Sequence, residues 1–504
     1  MAESDRPHSE EPPPPPPRRR RLPRVAKVVA VVAVVLGLVV AVGWRFDLAE
    51  RWGLDDRLGL DQPDPRSDPA AVEPPAGLEL PDIAEPRPVA AALAGGSPDA
   101  AAVRRALGGL LDDARLGGRV GFAVSGLDGR PVLTDGPAVV TPASTLKLLT
   151  CLAALETLGP EHRFTTSVVA AGRDVTLVGG GDPLLAGHPV GENSYPAQAD
   201  VVTLARQAAE RLLRDGHRRV RLSFDDTLFS GPVGAPGWEA DYLPDDVVSP
   251  ITALWVDEGR ESPDDDERSV DPSAHAADVF AAALERNGVT VVGPVGRAAA
   301  DPVAEQVAAV QGAELVEVVQ HVVELSDNEA AEVLARHVAI TEELPGSFAG
   351  ASRAVRAVVS RLGVPLPGAV VLDGSGLARG DRLAVRTLLA VLAVGAGVDV
   401  SDPDDSDPDD PGLGGLDEGL PVAGFSGSLD YRFQTDADAG LGWVRAKTGT
   451  LTGVHGMAGV VTGRDGTLML FAVVADRVPV EETLFTRDRL DQVAAALAGC
   501  ACGK

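Results

Sequence analysis

The apolar and polar positions of this chain change rhythm several times, and each change marks a segment. The first apolar run, VVAVVAVVLGLVVAVGW from Val28 to Trp44, has 17 residues without a charge. At 1.5 Å per residue that just reaches the length needed to span a bilayer. A proline run, Pro12–Pro17, and RRRRLPR, Arg18–Arg24, precede it. This predicts a disordered basic tail over 1–24, on the cytoplasmic side, and a membrane anchor over 25–44 with Trp44 at the outer interface. Ala41–Gly43 also resembles a small-residue cleavage site, so a removed signal sequence is the alternative. Either reading exports the rest of the chain. Residues 45–95 are rich in Pro, Asp and Glu and read as a tether.

Beyond the tether the pattern becomes that of a folded body. Gly118–Gly136 alternates as two strands around an Asp128-Gly129 turn. STLKLLTCLAALETLGP follows with helical spacing, opened by Ser144 and closed by Gly159-Pro160, with Leu146, Leu149 and Ala153 facing the core. Ser144 and Lys147, at i and i+3, share the opposite side of the first turn. Between about Phe164 and Gln311 short strands alternate with two helices, Asp200–Leu213 and Ser273–Arg286, which reads as an inserted module over 164–311. Helical spacing resumes over Gly312–Ile340 on either side of Ser326-Asp327-Asn328, which places these three at a helix junction. Trp443–Asp476 reads as three strands, the last two joined at Arg464-Asp465-Gly466, and a helix over Glu482–Leu497 closes the chain. Two strands near the start and three near the end predict one five-stranded antiparallel sheet flanked by helices. The fold class is α/β, of the α+β type, with a main domain over 96–163 and 312–504.

Charge and composition narrow the function by exclusion. With 45 basic against 74 acidic residues the net charge is −29, which argues against a nucleic-acid partner. Cys151, Cys500 and Cys502 show no metal-ligand spacing, so a structural zinc is not expected; the last two could pair or stay free, and Cys151 reads as packed. Gly179-Gly180-Gly181 lacks the GK[ST] and the following helix of a phosphate cradle. The acidic loop Ser401–Gly419 lacks the glycine and glutamate of a calcium loop and reads as a solvated insertion. No metal or other cofactor is implied.

Three short elements carry chemistry: Ser144-x-x-Lys147, Ser326-Asp327-Asn328 and Lys447-Thr448-Gly449. In that order, on a helix start, a helix junction and a strand, they match the active-serine signature of penicillin-binding proteins and β-lactamases. The chain resembles the D-alanyl-D-alanine carboxypeptidase/endopeptidase family, the class C low-molecular-mass penicillin-binding proteins. The resemblance rests on PASTLKLLT, LVGGGDP, SDNEAAEVLAR, VVLDGSGLARGDRL and KTGTLTGVHGMAG, and covers roughly residues 95–500. The interval between Ser144 and Ser326 is shorter than expected for that family's full insertion, and the membrane anchor is a second departure.

A serine hydroxyl needs a base, and Lys147 serves only with a neutral amine, which burial and the cation of Lys447 would favour. The resemblance implies that Ser144 attacks the penultimate D-alanine carbonyl of a peptidoglycan stem peptide. It implies that Ser326 relays the proton, that Asn328 holds Lys147 and a substrate amide, and that Lys447 and Thr448 take the terminal carboxylate. Gly449 then leaves room for substrate, and the N–H groups of Ser144 and Thr450 bind the oxyanion. β-Lactams are the implied inhibitors. Asp373 and Ser375 read as a structural turn, and His455 as a packing residue. A β-lactamase is the enzymatic alternative, though no ExxLN-type segment lies between Ser326 and Lys447; a non-catalytic β-lactam or wall-peptide binder is the other.

Overall fold

The computed structural model describes residues 97–504 except 192, 264–265, 399 and 401–414. The tail, the apolar run Val28–Trp44, the tether and most of the acidic loop lie outside the described residues. Among the described residues no helix is long and apolar enough to cross a membrane.

A short helix α1 (Ala100–Leu107) precedes strands β1 (Val120–Ser125) and β2 (Pro131–Asp135). A 3₁₀ turn (Ala143–Leu146) leads into α2 (Lys147–Leu158). Then come β3 (Arg163–Ala171), β4 (Asp174–Val178), α3 (Val201–Arg214), β5 (Arg219–Asp225) and α4 (Pro272–Arg286). Strands β6 (Thr290–Val291), β7 (Gly296–Arg297) and β8 (Glu305–Glu314) follow. Helices α5 (Leu315–Leu325), α6 (Asn328–Thr341), α7 (Phe348–Arg361) and α8 (Val385–Gly395) come next. Strands β9 (Val444–Leu451), β10 (Val454–Thr462) and β11 (Leu468–Asp476) and helix α9 (Thr483–Ala498) end the chain.

The first sheet has the order β2-β1-β11-β10-β9, every pair antiparallel. Its alternation sorts side chains to two faces. Ala123, Ala458, Leu470, Ala472 and Val474 join the core that holds α2, whereas Phe122, Val124, Met457, Phe471 and Val473 join a second core with α9 and α1. Helix α2 is buried on every side from Lys147 through Leu155, wrapped by α5, α6, α7 and α8, and reaches solvent only at its last turn, where Glu156 is exposed.

The segment from β3 to β8 builds a second sheet, β6-β5-β4-β3-β8, with β7 also on β5. Its pairs β4–β5 and β5–β6 are parallel, a mixture that the spacing of short strands does not predict. Its own core packs α3 and α4 on the strands. One boundary differs from the sequence reading. Strand β8 continues through Gly312–Glu314, where helix was expected, because Arg163 on β3 holds it by bonding the Gly312 carbonyl (2.8 Å) and the Glu314 carboxylate (2.7 Å). Cys500 and Cys502 form a disulfide, and Cys151 is a buried free thiol on α2.

Candidate active site

Ser144 does not cap the helix as its position suggested. It sits in the 3₁₀ turn ahead of α2, and no side-chain bond caps either element. Ala143, just before it, takes a left-handed conformation (φ 47°), the kind of strain that concentrates at functional sites. Lys147 is not on a solvated side; it is 0 % exposed. Its Nζ lies 2.9 Å from Ser144 Oγ, 2.8 Å from Asn328 Oδ1 and 2.8 Å from the Ser375 carbonyl. Burial pushes its pKa down to about 8, against the opposing pull of the carboxylates Asp373, Asp327 and Glu332.

Asn328 opens α6, and Asp327 caps that helix by accepting from Ala330 N (2.9 Å). Ser326 closes α5 in a left-handed conformation (φ 65°) and is half-buried; its hydroxyl makes no hydrogen bond among the described residues. His321 on α5 supports the junction with Nε2 3.0 Å from Asp327 Oδ2 and 3.7 Å from Glu258 Oε1. Burial would depress the imidazolium, but the hydrogen bonds to Asp327 and Glu258 prevail and raise its pKa to about 10.

Lys447, Thr448 and Gly449 lie on β9, the edge strand of the first sheet. Lys447 is buried, with Nζ donating to the Thr448 carbonyl (2.9 Å). Burial, then the positive charge of Lys147, hold it well below an ordinary lysine. The Thr448 hydroxyl meets Ser428 Oγ at 2.8 Å. A Cβ on Gly449 would stand 2.8 Å from the Pro142 carbonyl and about as tightly against Thr145, so the room this glycine leaves is taken by the serine turn itself. On the strand's outer edge, Ala446 N donates to the Pro421 carbonyl (3.0 Å). By the period of two, the N–H groups of Thr448 and Thr450 face that same edge.

The DGSGL segment is a tightly bonded turn. Asp373 accepts from Gly376 N (2.8 Å), Ala378 N (2.7 Å) and the Trp238 indole (2.8 Å). Gly376 (φ 83°) approaches so closely that a Cβ would lie 2.0 Å from the Ala143 carbonyl, which locks the turn onto the serine loop. Sequence reasoning missed Glu332, the Ser375 carbonyl, Trp238 and Ser428. Only Glu332 carried a signal, one helical turn beyond Asn328 on a face that it shares with Ala331, Ala335 and Arg336. His455 lies on β10 opposite Thr450; burial, with Arg487 and Arg432, pushes it down to about 4, which leaves it a neutral packing residue.

Ser144, Lys147, Asn328 and Ser375 thus converge by direct contact, and Lys447–Gly449 packs beside them on a sheet edge. A two-faced antiparallel sheet, a buried central helix preceded by the SxxK serine and begun by its lysine, and a helix junction bearing SxN define an active-serine peptidase of the penicillin-binding class. The D-Ala-D-Ala carboxypeptidase 3 (S13) family matches residues 103–269 and 265–497, and the chain belongs to that family. It is 36% identical to a carboxypeptidase of Mycobacterium tuberculosis over 418 residues, 81% of this chain and 86% of that one. It is 35% identical to the carboxypeptidase DacB of Mycolicibacterium smegmatis, covering 84% and 89%. In fold it is similar to penicillin binding protein 4 of Haemophilus influenzae, with TM-score 0.62 and 20% identity over 77% of this chain and 97% of that one.

Proposed function

We propose that this protein is a serine-type D-Ala-D-Ala carboxypeptidase, with endopeptidase capacity, acting on peptidoglycan stem peptides through an acyl-enzyme on Ser144. The observation that carries the reading is the fully buried Lys147 amine 2.9 Å from Ser144 Oγ. The neutral amine takes the Ser144 proton as Oγ attacks the penultimate D-alanine carbonyl carbon. The N–H groups of Ser144 and Thr450 receive the oxyanion, typically worth ~3 kcal/mol per donor; the outward set of the Thr450 N–H supports this role. As the C–N bond breaks, Ser326 passes a proton to the departing D-alanine nitrogen, and Asn328 holds both Lys147 and a substrate amide. Lys447 and Thr448 bind the terminal carboxylate, whose charge would restore the proton on a depressed Lys447. Water then attacks the ester and frees Ser144.

β-Lactams acylate the same serine; one structure of the similar Haemophilus influenzae protein is described as complexed with a β-lactam. Residues 28–44 tether the chain to the bacterial membrane with the catalytic domain outside, a reading supported by the apolar run and its preceding arginines.

The test is mass spectrometry of the exported domain after incubation with fluorescent penicillin and, separately, with a stem peptide ending in D-Ala-D-Ala. An adduct on Ser144 and release of D-alanine are expected. No adduct and no release would sink the proposal, and rapid penicillin hydrolysis would favour a β-lactamase. Membrane fractions of cells expressing the full chain should contain it, and removal of residues 1–44 should free it.

A further inference from the structure

Glu332 touches neither Ser144 nor any substrate-facing group, yet its surroundings tie it to the base. It lies on α6 four residues after Asn328, so the two side chains leave the same face of the helix. It is 0 % exposed. A fully buried carboxyl is costly unless its oxygens are bonded. Here the two oxygens accept from the adjacent backbone N–H groups of Gly374 (2.9 Å) and Ser375 (2.8 Å). The two peptide groups they hold lie immediately before the one that carries the Ser375 carbonyl to Lys147 Nζ at 2.8 Å, whose own N–H, on Gly376, is held by Asp373. Thr150 on α2 bonds the Gly374 carbonyl (2.7 Å), and Asp373 holds the far side of the turn through Gly376 N and Ala378 N.

The consequence follows from counting donors on the amine. A neutral lysine amine has two N–H groups and one lone pair. Its three neighbours here are not equivalent. A backbone carbonyl and the Asn328 side-chain oxygen can only accept, whereas the Ser144 hydroxyl can also donate. With both N–H groups committed to Ser375 and Asn328, the lone pair is left facing the Ser144 O–H.

We propose that Glu332 is a positioning residue: by gripping the Gly374–Ser375 backbone it fixes the Ser375 carbonyl, which with Asn328 aims the Lys147 lone pair at Ser144. This rests on the reading of Lys147 as the base. Burial, then the charge of Asp373, raise the Glu332 carboxyl to about 8, so its negative charge near Lys147 develops only as pH rises; that charge is a separate effect from the grip on the backbone, and the two separate in a pH profile. A lost charge lowers the pH at which Lys147 becomes neutral and so raises the rate below the plateau, leaving the plateau itself unchanged. A lost orientation lowers the rate even where the amine is fully neutral.

The experiment compares Glu332→Gln, Glu332→Asp and the parent protein in acylation by penicillin. It measures the maximal acylation rate and the reversible affinity from pH 6 to about 10, alongside the thermal unfolding midpoint. In Glu332→Gln an amide nitrogen must face one of the two backbone N–H groups, leaving it unpaired in the core. The plateau rate above pH 9 should fall about 10- to 100-fold, the scale of a misplacement near 1 Å, with the reversible affinity changed little. Glu332→Asp keeps a carboxyl and shortens the reach, so it should also lose plateau rate, and some of the unfolding midpoint because the same two N–H groups lose their partners. If Glu332→Gln fails to fold, Glu332→Asp carries the test alone. A parent-like plateau in either folded variant overturns the proposal, whatever the shift of the profile below it. Failure of the parent protein to acylate would instead overturn the reading of Lys147 and Ser144.

Discussion

Lys147 concentrates the chemistry at the scale of one residue. A lysine on an exposed first helical turn keeps its charge at neutral pH and cannot take a proton. Enclosure on all sides lowers its pKa to about 8, because the charged form loses its hydration. At pH 7 about a tenth of the molecules then hold the neutral amine. The rate of Ser144 acylation by penicillin should therefore rise about tenfold per pH unit up to about pH 8 and level off above it. Rates measured from pH 5.5 to 9.5 check this; a flat profile would count against Lys147 as the base. The Lys147 cation adds to burial in lowering Lys447, whereas burial alone lowers Lys147, against the nearby carboxylates; the help expected from the Lys447 cation is not what lowers it.

At the scale of elements, the site is an approach of a strand edge to a turn. Strand β9 comes so close to the 3₁₀ turn that Gly449 has no space for a side chain, its Cβ position being 2.8 Å from the Pro142 carbonyl. That neighbour is backbone and cannot rotate away. Gly449→Ala should push β9 off the turn, lowering acylation about 10- to 100-fold and also lowering the unfolding midpoint. Gly456, paired with Gly449 across β9 and β10, offers the control: its Cβ would meet a Val474 methyl at 3.1 Å, which side-chain adjustment can relieve. Gly456→Ala should cost far less activity. Equal losses in the two variants would mean that any added methyl in this sheet is harmful, and the close approach would not be the cause.

At the scale of the whole molecule, the connection between β5 and α4 meets the Ser326–Asn328 junction. Glu258 and Arg268, between β5 and α4, reach His321 on α5 and Glu329 on α6, the latter through an Arg268–Glu329 ion pair of 2.9 Å. These bonds make the connection between β5 and α4 part of the support for the Ser326–Asn328 junction. His321 links the stability of this joint to pH. Its folded pKa, about 10, lies above the ordinary value of 6.5, so its contribution is fully present below about pH 6.5 and is lost as pH rises through 10. Denaturant midpoints measured from pH 6 to 10 should fall more steeply in the parent protein than in His321→Gln. Superimposable pH dependences would contradict the link.

The apolar strand runs Val120–Ser125 and Leu468–Asp476, the apolar run after Ser144 and the order of SxxK, SDN and KTG could all be read along the chain, because each is a local rule of composition, period or spacing. So could the strands and helices of the segment between β3 and β8, though not the parallel pairing among them, since nothing local marks which strand a given strand will join. Glu332 and Ser375 escaped for a related reason: one is a carboxylate in a helical pattern, the other acts through its backbone carbonyl, and a main-chain group has no letter in a sequence. The sequence by itself determined which side chains are available and which elements carry them. Tertiary structure alone decided that Lys147 is dehydrated, that its third partner is the Ser375 carbonyl and that Gly449 faces the serine turn. Burial and approach are properties of segments far apart in the chain, and they exist only once those segments pack.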